Sequence, residues 1–259
     1  MGMLVLAPGL EAQNAAKAKT PAPAATKADA PDMGEFVNPL PDEKVDGALA
    51  DIQSKLGNIK SMTATLAMDR KHKDKKKKQI PGSLNDLGEK AGRRIKKGPL
   101  ELIRGAGARL VVSRRETHEF YVANATDLWS YDVGEDEAKR IPTRLPIIKP
   151  FVQNAFSLNA AASMQEGTIK LRGSQTVDGV DCWVLSGKTP ESLEMAGLES
   201  TGIGFWVGKA DGVPRRIVVP DAEDAIITLR NIKLNVPIDP SRFVWTPPAG
   251  VKEVGILGF

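Results

Sequence analysis

The stretch Phe243-Val244-Trp245-Thr246-Pro247-Pro248-Ala249-Gly250-Val251 decides the fold that the sequence predicts. It begins with the alternation of a strand, which puts Phe243 and Trp245 on one face and Val244 on the other. The two prolines lack the backbone N–H that a ladder needs, so pairing must end at or near the edge of a sheet. We therefore expect residues 243–246 to be the closing edge strand of a curved sheet, with both aromatic side chains turned toward its inner face.

Upstream of this stretch, short alternating segments predict a run of antiparallel strands. Residues 61–70 carry apolar side chains at every second position, at Met62, Ala64, Leu66 and Met68. Similar segments separated by turn residues follow as far as residue 234, and together they predict about eleven strands. Because a twisted sheet of this size curls, we expect a mainly β (α+β) fold, in which a single curved antiparallel sheet forms an unclosed half-barrel.

Short helices are expected to cap this half-barrel. An amphipathic helix is predicted where apolar residues recur every three to four positions, at Val45, Leu49, Ile52, Leu56 and Ile59. Residues 151–158, which follow Pro150, and residues 191–198 predict two more short helices. A sheet would supply the surface on which these apolar faces lie.

Residues 1–41 are expected to lie outside the folded domain. The apolar patch at residues 3–10 is shorter than a normal signal-peptide core and follows no Lys or Arg, so it is either a signal-peptide remnant or part of a disordered terminus. Residues 13–41 are rich in Ala, Pro and Lys and predict a flexible tether. We assign residues 42–259 to one half-barrel domain with a basic insertion at 70–97.

The positive charge of the chain is concentrated in that insertion. Residues 70–97 hold twelve lysines and arginines against three acids, a local charge of +9 in a chain whose net charge is +4. Aromatic residues are absent there, which disfavours nucleic-acid binding. Lysine clusters attract anionic membrane surfaces, and we expect a contact with such a surface or with a partner through Lys75, Lys76, Lys77 and Lys78. A solvated insertion without a dedicated partner is the alternative.

Residues typical of a catalytic or metal centre are absent from the sequence. His72 and His118 have no nucleophile or acid at a recognisable spacing. The single cysteine, Cys182, permits neither an internal disulfide nor a thiolate zinc cluster, and we expect it to be a small buried strand residue. The sequence therefore predicts a protein that is not an enzyme and that has no metal and no cofactor.

Three motifs together resemble a known family. They are Gly98-Pro99-Leu100-Glu101-Leu102-Ile103-Arg104, the hairpin sequence Leu128-Trp129-Ser130-Tyr131, and the aromatic and Pro-Pro stretch at 243–251. With the preceding amphipathic helix, this combination resembles the periplasmic outer-membrane lipoprotein carriers, the LolA-like proteins, over residues 43–254. The resemblance implies an unclosed β-barrel capped by helices, with an apolar cavity that holds the acyl chains of a lipoprotein under a helical lid.

The resemblance also implies a function and a set of site residues. The protein would be an exported, soluble, monomeric periplasmic carrier or binder of lipoproteins or other acylated ligands, with a membrane release or acceptor protein as partner. By motif position, Arg104 would hydrogen-bond the lid and hold it closed, and an exposed arginine at a strand end is the alternative. The expected cavity residues, for which an ordinary core is the alternative, are Met62, Leu66, Met68, Leu100, Leu102, Trp129, Phe151, Phe156, Trp183, Leu185, Phe205, Phe243 and Trp245.

Two other functions are compatible with these features. The resemblance extends to envelope sensors with the same fold, which bind lipid or protein and regulate a membrane partner. The tether and the basic insertion would suit that role. An enzyme that acts on lipid is disfavoured because the sequence offers no nucleophile and base.

Overall fold

The computed structural model describes residues 39–69, 97–113, 118–143, 157–190, 202–219 and 225–255. These residues contain the helix α1, two short 3-10 helices at Ala161–Ser163 and Pro240–Phe243, and twelve strands. The bounds are α1 Asp42–Leu56, β1 Ser61–Asp69, β2 Gly98–Ile103, β3 Gly107–Ser113, β4 His118–Asn124, β5 Asp127–Asp132, β6 Glu137–Pro142, β7 Lys170–Val177, β8 Val180–Lys188, β9 Gly202–Gly208, β10 Pro214–Val219, β11 Ala225–Leu234 and β12 Lys252–Gly255.

The strands form one curved sheet that does not close. Its order from edge to edge is β12-β6-β5-β4-β3-β2-β1-β11-β10-β9-β8-β7. Neighbouring strands are antiparallel except for β12, which pairs in parallel with β6. The central strand β1 joins a first meander, β2–β6, to a second meander, β7–β11. The predicted mainly β, unclosed half-barrel is therefore confirmed, with one strand more than the roughly eleven that the turn spacing predicted.

Helix α1 packs against the sheet through the apolar stripe that the sequence predicted. Of the predicted residues, Val45, Ile52 and Leu56 are buried at helical spacing and Leu49 is half-buried; Ala48, which was not predicted, is buried beside them. Acidic residues in the first turn and a lysine in the last turn complement the helix dipole. The helix ends at Leu56, and Ile59, which was expected in its last turn, is buried just beyond that end.

Both faces of the sheet carry buried apolar clusters. We call the face that packs against α1 the helix face. On β8, Leu185 belongs to the cluster under α1, whereas its neighbour Val184 belongs to a second cluster. Because successive side chains of a strand point to opposite faces, the second cluster lies on the opposite face. It consists of Val177, Cys182, Val184, Trp206 and Val218. Cys182 is thus a buried strand residue.

The prediction that residues 243–246 form the closing edge strand is wrong. Pro240–Phe243 is a 3-10 helix, whose N-cap Asp239 accepts a hydrogen bond from the Ser241 backbone N–H at 2.9 Å. Residues 244–248 belong to no strand. The edge strand is β12, which begins only after the two prolines and Gly250, a residue with a φ of 91°. Prolines cannot donate to a ladder, so pairing starts after them.

Several predicted segments lie outside the described residues. They include residues 1–38 of the N-terminal segment predicted at 1–41, residues 70–96 of the insertion with its four consecutive lysines, and the helix at 191–198. Of the helix predicted at 151–158, only residues 157 and 158 are described, and Leu158 is buried. The division of the chain into a tether and a domain stays a prediction.

Candidate functional site

Eight of the predicted cavity residues lie on the helix face, in two different situations. Met62, Leu102, Leu185 and Phe205 are buried and pack with α1 in the core. Leu66, Leu100 and Trp183 are half-buried and lie against that core, and Met68 packs beside Val112. The first group is already covered by protein, whereas the second group retains exposed apolar surface.

Trp129 lies on the opposite face, away from Leu100 and Leu102. Trp129 on β5 is paired with Val122 on β4, Val122 with Arg109 on β3, and Arg109 with Glu101 on β2. Glu101 lies between Leu100 and Leu102 in the sequence of β2. Residues that face one another across strands share one side of the sheet, and alternation puts Leu100 and Leu102 on the other side. The prediction that Trp129 lines one cavity with these leucines is therefore corrected.

Phe243 and Trp245 also belong to the opposite face. The Trp245 ring centroid lies 5.3 Å from that of Trp129 and 5.4 Å from that of Tyr131. The Asn124 side-chain amide donates to the Phe243 carbonyl oxygen at 2.9 Å. Their predicted place in the cavity wall is corrected in the same way, because they pack the C-terminal segment against the opposite face of β4 and β5. Phe151 and Phe156 lie outside the described residues.

The half-buried side chains of the helix face form a continuous apolar strip over β1–β4. Leu100, Leu110 and Tyr121 face one another across β2, β3 and β4. Met68, Leu110 and Tyr121 pack around Val112, which is fully buried. We define the apolar strip as Leu66, Met68, Leu100, Leu110 and Tyr121. Leu110 and Tyr121 were not predicted, although their alternation on β3 and β4 would have indicated them once the strand register was known.

A row of carboxylates borders one end of the apolar strip. Glu119 faces Asp132, and Asp132 faces Glu137, all on the helix face. Glu119 is only 6% exposed and accepts a hydrogen bond from the Tyr121 hydroxyl at 2.9 Å. Sequence reasoning missed this row, because only the register of three strands brings the acids together. An apolar strip that ends in carboxylates suits a ligand with a long apolar chain and a hydrogen-bond-donating head group.

Arg104 begins the turn between β2 and β3 and contacts the end of α1. Its Nη1 donates to the carbonyl oxygen of Leu56, the last residue of the helix, where the helix dipole favours a cation. Near the start of α1, the Leu40 N–H donates to Leu171 O of β7 at 2.9 Å. Lys55 Nζ donates to Lys209 O after β9. Arg104 thus ties α1 to the first meander, and its role as a lid latch stays a prediction.

Other chemistry is sparse in the described part of the chain. Within it, no three His, Cys, Asp or Glu side chains are arranged to hold a metal ion. His118 is exposed at the start of β4, and burial raises the pKa of the Cys182 thiol, which disfavours the reactive thiolate. Among these residues, no helix combines the length and the apolar character needed to cross a membrane.

Comparison with protein families and with curated proteins finds no match. Among solved structures, the chain is similar to an uncharacterized conserved protein from Thermus thermophilus, at 12% identity and a TM-score of 0.48, with 82% of this chain and 99% of that chain covered. LprF from Mycobacterium bovis has 12% identity and a TM-score of 0.45, with the same coverage. A putative outer membrane lipoprotein-sorting protein domain from Vibrio parahaemolyticus has 12% identity and a TM-score of 0.40, over 76% of this chain and 96% of that chain.

The solved structures similar to this chain thus include a putative outer membrane lipoprotein-sorting protein domain. At 12% identity and with TM-scores below 0.5, this is a likeness of fold and says nothing of what the chain binds.

Proposed function

We propose that the protein binds and carries a lipoprotein or another acylated, hydrophobic ligand, whose acyl chain lies on the apolar strip of the helix face. One observation carries the proposal: the strip residues follow one another across four strands and remain half-buried, while the neighbouring side chains of the same face are packed under α1. Contiguous apolar surface on an otherwise packed protein marks a binding site.

The energetics of carrying an acyl chain fit such a strip. Removing a sixteen-carbon chain from water is worth roughly 12 kcal/mol, at about 0.8 kcal/mol for each CH₂ group. A carrier must provide much of this free energy and still release the chain. A site beside α1, instead of beneath it, lets the ligand leave without unpacking Met62, Leu185 and Phe205 from the core.

The proposal includes a setting in the cell. The protein would act in the periplasm as an exported monomer without catalysis and would pass its ligand to a membrane acceptor protein. The motif resemblance to lipoprotein carriers supports this setting. Contact between Lys75–Lys78 and an anionic membrane stays a prediction, since these residues lie outside the described ranges.

Binding of a fluorescent fatty acid to the delipidated protein tests the proposal. Leu110→Asp puts a charge in the middle of the apolar strip and should weaken binding at least tenfold, because burying an unpaired carboxylate under an acyl chain is unfavourable. Val111→Asp is the matched control. Val111 is the next residue on β3, is also half-buried, and points to the opposite face.

The control variant should bind the fatty acid as the unchanged protein does, and circular dichroism should show that both variants are folded. Two results would contradict the proposal. One is equal weakening in both variants. The other is a protein that takes up no fatty acid and yields no acyl species by mass spectrometry after purification.

A further inference from the structure

Strand β12 is attached to the sheet differently from every other strand in the described ranges. It is parallel to its neighbour β6, whereas the other pairs are antiparallel. Its side chains contribute little, because Lys252 and Glu253 are exposed and Val254 is only half-buried. Backbone hydrogen bonds, such as the one from the Lys252 N–H to Asp136 O, therefore carry most of its attachment.

Strand β6 does not depend on β12 for its position. Ala138 and Ile141 are both buried, and their spacing puts them on opposite faces of the sheet. On its other side, β6 pairs with the full length of β5, from Asp127 opposite Pro142 to Asp132 opposite Glu137. If β12 left, β6 would remain in place and present a row of unpaired backbone groups, which is a template for another strand.

The connection to β12 allows such a departure. Trp245 is held between the rings of Trp129 and Tyr131 on the opposite face. Between Trp245 and β12 lie Pro247, Pro248 and Gly250, which lies in a turn at a φ of 91°. The aromatic contacts can therefore persist while β12 detaches.

We propose that the edge of β6 is a strand-addition site for an extended peptide of a partner protein, and that β12 is the internal occupant that closes this site. Main-chain hydrogen bonds would provide the affinity of the added strand, as in other cases of β-augmentation. The inference does not rest on the ligand proposed above, because it is argued from the pairing of β12 with β6 and uses no residue of the apolar strip.

The β12 residues that pair with β6 indicate which peptide sequence the edge of β6 would bind. Lys252 faces Glu137 and so ends the carboxylate row of the helix face with a cation. Glu253 faces Ala138 on the opposite face, where Arg140 lies next along β6. The hydrogen bond and charge of Asp127 raise the pKa of Arg140, and the charge of Glu253 adds to this effect. The site therefore favours an extended peptide in which a basic residue precedes an acidic one.

A chain shortened to end at Val251 tests the proposal, with a chain that ends at Gly255 as the matched control. The probe is the synthetic peptide Gly-Val-Lys-Glu-Val-Gly, which copies residues 250–255. Backbone NMR of the isotope-labelled chain detects binding up to millimolar peptide. We expect saturable shifts at the β6 amides of the chain ending at Val251, and binding at least tenfold weaker to the control. A peptide with Pro in place of its second Val should not bind, because this residue, like the Lys two positions before it, directs its N–H to β6 in the parallel ladder.

Hydrogen exchange on the full chain provides a second measurement. Amides that join β12 to β6 should exchange by local opening, at least tenfold faster than amides that join β5 to β6. Equal exchange on the two sides of β6 would overturn the proposal. So would the absence of saturable β6 shifts, equal binding of the Pro peptide, or loss of the native spectrum in the chain that ends at Val251 alone.

Discussion

At the scale of single residues, Gly107 determines how closely the C-terminal segment approaches the sheet. A Cβ atom at this position would lie 2.8 Å from the Phe243 ring and 2.8 Å from the Ala123 carbonyl oxygen. The neighbouring Gly105 has a φ of 74° and an open surrounding, so it serves the turn between β2 and β3. The two glycines of the Gly105-Ala106-Gly107 sequence thus have different tasks, one conformational and one of packing.

We predict that Gly107→Ala lowers the free energy of unfolding by about 1–3 kcal/mol, because the added methyl group overpacks the contact with Phe243. Gly47→Ala is the control in the same measurement by urea denaturation. Gly47 is exposed on α1, and a methyl group added there would meet no atom within 4 Å, so this change should stabilise the protein by about 1 kcal/mol. A stabilising effect of Gly107→Ala would show that the Phe243 contact is loose.

At the scale of elements, the sequence predicted strands and turns better than it predicted which face a side chain occupies. The alternation of β1 correctly put Met62 and Leu66 on the buried side, and Asp178 and Gly179 form the turn between β7 and β8. Phe243 and Trp245 were assigned to the wrong face, because both faces bury apolar clusters and an alternating pair fits either of them. The charged β12 has no apolar alternation and could not be predicted at all.

The 3-10 helix at Pro240–Phe243 has a local signal that the alternation obscured. Asp239 precedes Pro240 and caps the helix with its side chain, an arrangement typical of a helix start. The backbone hydrogen bond from Ser241 lowers the pKa of Asp239. Because the pKa of Asp239 is lower in the folded state than in the unfolded state, Asp239 stabilises the fold above about pH 3.9. This contribution is lost as the pH falls through the pKa of the folded state.

We therefore predict that Asp239→Ala destabilises the protein near neutral pH and that the difference from the unchanged chain shrinks in acid. Urea denaturation at about pH 7 and at about pH 2.5, on either side of the unfolded-state pKa of aspartate, measures this difference. Asp239→Asn retains an acceptor for the Ser241 N–H without the charge, and its stability should lie between the other two at neutral pH. A difference that stays constant with pH would mean that the Asp239 charge has no part in the cap.

At the scale of the whole molecule, α1 spans the two meanders. Leu40, just before the helix, donates a hydrogen bond to β7, and Lys55 in its last turn donates one to the carbonyl oxygen of Lys209 in the second meander. Arg104 reaches the same helix from the first meander. A change in the position of one meander relative to the other would therefore strain or break the contact between Arg104 and Leu56.

We predict that Arg104→Leu changes the rate at which a bound fluorescent fatty acid dissociates, by at least threefold. The variant frees the end of α1 from the first meander, and Leu66 and Leu100 of the apolar strip pack against the core that this helix covers. Arg109→Leu is the matched control: Arg109 lies on the opposite face of the same meander, with Glu101 at 3.5 Å. Stopped-flow displacement measures both rates. If Arg104→Leu and the unchanged protein release the fatty acid at the same rate, Arg104 is not a latch.

The central position of β1 also has a consequence for folding kinetics. Each meander is built from hairpins between consecutive strands, which close short loops and can form early. The β1–β11 seam instead joins Met62 to Leu234, and its formation requires closure of most of the chain. Contacts of such large sequence separation slow folding because their loop entropy is lost before they stabilise anything. The seam should therefore form last, so that its completion, and not the hairpins, sets the refolding time of the protein.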